Sequence, residues 1–237
     1  MAKGRFIAGT SAGGTGGGAD VFTQVKNGTK TTIVPADDLT ILTNPDKTYL
    51  FYSITTLTDY ENSEFATASK CAYTFQGCTG LLSFKGALSG TTTTFCFFGC
   101  TSLAYAEIDA SAYIGNTTAG RSTFQNCSAL TSIKITGINA NATSWSYVTL
   151  WCFLGYATAL TDLEFTVEIT PDLNLSFNTL LNFDSVLNVL NQLFDYSAGA
   201  AHTVTFNLTI ADVGGQLAAA VAVATARNWT VSGLTIT

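Results

Sequence analysis

Hydrophobic positions between Tyr73 and Phe165 recur in one order: an aromatic residue, a cysteine three positions on, a leucine three further, then apolar residues alternating with a polar one. Phe75, Cys78, Leu81 and Phe84 form the first copy; Phe97, Cys100, Leu103, Ala106 and Ile108 the second; Phe124, Cys127, Leu130, Ile133 and Ile135 the third. A degraded fourth copy carries Leu154, Ala157, Leu160, Leu163 and Phe165. Taking Cys78, Cys100, Cys127 and Ala157 as equivalent, the steps are 22, 27 and 30 residues. Such periods mark stacked repeats, because one unit cannot bury its apolar face alone.

The alternation at the end of each copy predicts a short strand with one face buried. The polar residue between the strand's apolar positions is Lys85, Glu107, Lys134 and Glu164 in turn. If the copies are adjacent parallel strands, roughly 4.8 Å apart, opposite charges fall side by side in one outward column and favour that register. Cys78, Cys100 and Cys127 share a slot and are expected to pack as small buried hydrophobes; Ala157 in the fourth copy favours packing over chemistry. Cys71, Cys96 and Cys152 lie just upstream of the slot. An even count permits disulfides, but disulfide scaffolds are shorter and denser in cysteine, so free buried thiols are expected.

Outside the copies, Thr31 to Val34 and Tyr49 to Ile54 read as strands, separated by a turn at Asn44, Pro45 and Asp46. Leu57 to Phe65 reads as a decayed earlier copy. Beyond Pro171 the period becomes helical: Leu180, Leu181, Phe183, Val186, Leu187, Leu190 and Leu193 predict an amphipathic helix with Asp184 and Ser185 near its start. A strand over His202 to Ile210, a helix over Gly215 to Ala226 and a strand over Trp229 to Ile236 complete the chain. The expected organisation is a Gly-rich arm (1–20), N-terminal cap strands (21–70), repeats with a short parallel sheet (71–176) and an α/β C-terminal cap (177–237): an α/β, β-rich repeat fold.

Charged residues make up only 11% of the 237 residues, against about a quarter in ordinary domains. With a net charge of −6, nucleic acid is not the expected partner. The N-terminus lacks the apolar core of a signal peptide, and the longest apolar run, Leu217 to Ala224, is too short to span a membrane. Use without Sec export and without membrane insertion is the expectation. Gly14-x-Gly16-x-x-Ala19 has neither a following Gly-Lys-Ser/Thr nor a βαβ context, so it reads as a flexible arm rather than a phosphate cradle.

Candidate chemistry is sparse. Glu107 and Glu164 would lie two rungs apart, roughly 9.6 Å by strand spacing, at the outer limit for an inverting glycosidase. Lys134 falls between them, and a charge ladder explains all four residues where catalysis explains two. His202, the one histidine, has no identifiable nucleophile beside it. Asp109, Asp162, Glu168 and Asp172 lack calcium-loop spacing, and no zinc pattern occurs. No catalytic, cofactor or metal site is assigned. The insertions at 111–120 and 137–147 carry Tyr113, Trp145 and Tyr147, candidate contacts for protein or glycan because such rings join an apolar face to a polar handle; packing over the stack is the alternative.

The Phe-x-x-Cys-x-x-Leu spacing of the first three copies resembles the BspA-like leucine-rich repeats, over about residues 71–170. Val186 to Leu193, His202 to Phe206 and Ala222 to Trp229 resemble the tail segment often attached to them. Two departures are the missing Pro after the strand and the long insertions. The resemblance implies a leucine-rich-repeat solenoid serving as a non-enzymatic structural or binding module of host-associated bacteria and their phages. One expectation is a phage virion protein (head fibre, decoration or tail component), anchored by its N-terminal arm to other virion proteins or to itself as a homo-oligomer. The alternative is a cell-surface or secreted adhesin that binds a host protein or glycan.

Overall fold

A computed structural model describes residues 20–37, 39, 46–90, 92–112, 123–138, 154 and 157–237. Nearly all of the Gly-rich arm, and Tyr113, Trp145, Tyr147 and Cys152 with it, lie outside the described residues.

Helix α1 (Val21–Lys26), capped by the Asp20 carboxylate on the Thr23 amide, leads into six parallel strands in chain order: β1 (Thr32–Ile33), β2 (Asp59–Asn62), β3 (Ser83–Ala87), β4 (Tyr105–Ala110), β5 (Ser132–Ile138) and β6 (Asp162–Phe165). The four sequence copies supply β3 to β6. Their register is that of the repeat: Phe84, Ala106, Ile133 and Leu163 lie side by side, as do Lys85, Glu107, Lys134 and Glu164. A 3-10 turn, Glu64–Thr67, follows β2. Beyond β6 a second, three-stranded parallel sheet holds β7 (Leu173–Asn174), β8 (His202–Ile210) and β9 (Trp229–Ile236), with α2 (Phe183–Asn191) and α3 (Gln216–Ala226) between its strands.

The copies begin one unit earlier than the cysteines do. Phe51, Ile54, Leu57 and Tyr60 repeat the spacing of Phe75, Cys78, Leu81 and Phe84, and Tyr60 of β2 pairs with Phe84. Residues 49–62 are therefore a copy of the same unit rather than cap strands, and the stretch Tyr49 to Ile54 is a turn, not the strand its alternation predicts. The alternation is real but serves a second ladder opposite the sheet. The amides of Tyr49, Phe51 and Ser53 donate to the carbonyls of Ala72, Thr74 and Gln76; those of Tyr73, Phe75 and Gly77 donate to Thr94, Cys96 and Phe98. Two positions four residues apart take a left-handed backbone: Tyr49, Tyr73 and Phe95 (φ 54 to 62°), and then Ser53, Gly77, Gly99 and Asn126. At the latter position glycine has no Cβ to clash, and asparagine tolerates this backbone better than most residues.

Like packs on like through the interior. Phe51, Phe75, Phe97 and Phe124 form one row of rings, each stacked on the next at 5.2 Å. Leu57, Leu81, Leu103, Leu130 and Leu160 are fully buried in the core. The cysteine slot does more than fill space. The thiols of Cys78, Cys100 and Cys127 each donate, at 3.0 Å, to the carbonyl of the phenylalanine one copy back: Phe51, Phe75 and Phe97. All five described cysteines are unpaired and buried. Burial pushes the Cys78 thiol up to about 12 and that of Cys71 to about 11, so these thiols are poor nucleophiles.

The last rung is closed by side chains. Leu175, Asn178 and Leu181 start another turn, in which the Asn178 amide donates to the carbonyls of Leu154 and Ala157 as a cysteine would. Helix α2 then stands where a seventh strand would run. Ser185 Oγ accepts the Leu163 amide at 2.8 Å, and the Asn188 side chain accepts from the Phe165 amide (2.7 Å) while donating to the Phe165 carbonyl (3.1 Å). Two side chains thus satisfy the edge of β6 that would otherwise offer unpaired backbone.

Candidate functional site

The exposed face of the six-stranded sheet is built from every second strand residue, since alternate side chains leave opposite faces. The charge column predicted from the copies runs down this face and is one member longer: Glu61 of β2 aligns with Lys85. Glu61, Lys85, Glu107, Lys134 and Glu164 therefore alternate in sign across five neighbouring strands. Glu61 was not among the residues singled out from the sequence; the sign alternation itself was the signal that points to it.

The column resolves into local pairs. Lys85 Nζ lies 3.2 Å from Glu61, Lys134 Nζ 3.7 Å from Glu164, and the Tyr105 hydroxyl donates to Glu107 at 2.8 Å. The Glu61 hydrogen bond, with the Glu107 and Glu61 charges, raises the Lys85 ammonium above its ordinary value. Partial burial, then the Glu107 hydrogen bond and the Glu107 and Glu164 charges, lift the Tyr105 phenol to about 12. Beside the column, Ser83 donates to Asp59 at 2.7 Å, and Asn182 and Thr161 donate to Asp162 at 2.6 Å each.

Shallow grooves lie beside it. One, of about 310 Å³, is bounded by Pro35, Asn62, Gly86, Ala87, Glu107 and Asp109. Another, of about 390 Å³, lies where the sheet meets α2, between Tyr105, Lys134, Glu164, Asn182, Asp184 and Asn188. Glu107 and Glu164, the candidate acid and base of the glycosidase reading, thus share one face, but Lys134 stands between them and each is engaged by Tyr105 or Lys134.

The other residues weighed from the sequence are scattered. His202 opens β8, where its Nδ1 lies 3.1 Å from Asp172 and its ring stacks on Tyr196 at 4.0 Å. Asp109 holds the Ser111 amide and Asp172 the Thr203 amide. Among the described residues, no group of three or more His, Cys, Asp and Glu side chains is placed to hold a metal ion. No described helix is long and apolar enough to cross a membrane. Compared with protein-family models, with curated proteins and with solved structures, the chain matches none.

Proposed function

We propose that the chain is a leucine-rich-repeat solenoid of the BspA-like kind, acting without catalysis as a structural or attachment protein of a phage virion. The observation that supports this reading is the charge column. Its groups alternate in sign across five strands and are engaged locally, Lys85 by Glu61, Lys134 by Glu164 and Glu107 by Tyr105, which suits a stiff, flat presenting surface better than a convergent reactive centre. The reading as a virion component (head fibre, decoration or tail) rests on the resemblance of the repeats. Anchoring to other virion proteins, or to further copies of the chain, is assigned to the Gly-rich residues 1–20 on composition.

Deletion of residues 1–20 tests it. The shortened protein is expected to stay folded by circular dichroism and to be absent from purified particles; incorporation at the normal level contradicts the anchoring role. The second reading, a surface or secreted adhesin for host protein or glycan, is favoured by the polar-lined groove beside Tyr105 and α2. Retention on a glycan or host-protein array that is lost in Tyr105→Ala would favour it over the first.

A further inference from the structure

The two sheets end differently. The β6 edge is capped by Ser185 and Asn188, but among the described residues β9 pairs with β8 alone. The His202 amide donates to the Asn228 carbonyl; with the parallel register that follows, Thr230 and Ser232 face β8, and the N–H and C=O of Val231 face outward. Protein edges are ordinarily guarded by charge or proline. From Asn228 to Thr237 there is neither. One irregularity occurs at Gly233, where φ is +68° and a Cβ would strike the Phe206 carbonyl; the extra residue of that bulge lies in β8.

Helix α3 packs on β9 and repeats the pattern. None of its eleven residues is charged, and its outer side shows Ala218, Ala219, Ala222, Val223 and Ala226, with Val223 47% exposed.

We propose that β9 is the pairing edge for a second copy of this chain, forming a two-fold dimer with antiparallel β9 strands and α3 against α3. Charge selects this occupant. The chain carries a net −6, so two copies repel over most of their surface, whereas between Val213 and Thr237 the sole charged residue is Arg227. Arg227 precedes β9, and the Asp212 amide donates to Thr237 at the strand's far end. Antiparallel pairing sets the Arg227 end of one copy beside the Asp212 end of the other; parallel pairing would set like ends together. A two-fold axis perpendicular to the sheet keeps both helices on one face, and strands roughly 4.8 Å apart then bring the two α3 helices to about the 8–10 Å of packed helices. The inference rests on the fold and not on the virion reading.

Sedimentation equilibrium of the full chain tests it with two variants. Val231→Pro deletes an outward N–H and leaves the β8 ladder intact; Val223→Glu puts a charge on the α3 surface without touching the strand. The unaltered protein is expected to form a reversible dimer, and each variant to weaken it at least about tenfold with an unchanged circular dichroism spectrum. Should Val231→Pro disturb folding, Val223→Glu decides alone. A monomer at about 100 μM, or an association constant that neither substitution changes, overturns the proposal. Loss of association only on deletion of residues 1–20 overturns it too, and assigns self-assembly to the arm.

Discussion

The six-stranded stack and the C-terminal unit are both parallel sheets, yet they are held by opposite strategies. In the stack each contact is made between one copy and the next: ring on ring, thiol on the carbonyl of the preceding phenylalanine, lysine beside glutamate. In the C-terminal unit each contact occurs once. The Trp229 indole donates to the Phe194 carbonyl, the Arg227 guanidinium to Leu193 and the Tyr196 hydroxyl to Thr170. A substitution in the stack is therefore felt by two neighbouring rungs, one in the C-terminal unit by a single turn. Sharing also creates an end problem: a stack of like units has no natural last member, and α2 supplies it.

The sharpest way to break the comparison is Phe97→Ala. Phe97 is fully buried, stacked between Phe75 and Phe124 and edge-on to Phe84. Removal of the ring is expected to cost about 3–5 kcal/mol through lost burial and the cavity left behind, read as a shift of the urea midpoint. A loss under about 1 kcal/mol would mean that the ring row does not hold the rungs together. Next in size is Asn188→Ala, which tests the junction of the two regions. It strips the Phe165 amide and carbonyl of their partner, and leaving such groups unmet costs about 1–3 kcal/mol. Hydrogen exchange at Phe165 should quicken by more than at Ile133, one strand inward. Equal protection at both would show that the helix is not the closing element.

The parts of this fold legible in the sequence are those where one requirement is written several times. Strands β3 to β6 and the charge column repeat at a recognisable period, so each copy corroborates the others. The copy at 49–62 was legible only as a decayed remnant from Leu57 onward, because it has Ile54 in the cysteine slot and Tyr60 in the strand; the three-residue spacing from Phe51 was the signal available. Tyr49 to Ile54 alternates like a strand, and nothing about tyrosine or serine announces the left-handed backbone that Tyr49 and Ser53 adopt. Cysteine as a small hydrophobe captured its burial and omitted its hydrogen bond. Asn178, three residues before Leu181 just as each cysteine is three before its leucine, shows that the slot can use a donor. Helical period located α2, but periodicity describes the apolar side, whereas Ser185 and Asn188 close the sheet by substituting for a strand's backbone.

The smallest effect is expected on the exposed face, where sharing has the least solvent exclusion behind it. Lys134→Glu sets three carboxylates in adjacent positions of the column in place of a pair at 3.7 Å, whose side chains are 31% and 54% exposed. For groups this open the loss should be under about 1 kcal/mol, and it should shrink as salt rises from low ionic strength to about 0.1 M, where the screening length falls to about 10 Å. Adding Glu164→Lys restores an opposite-sign neighbour for position 134 and should recover part of that loss. A penalty that ignores salt, or a double variant no better than the single one, would show that the alternation of sign reflects something other than rung-to-rung attraction, since Coulombic neighbours in a flat column must respond to both.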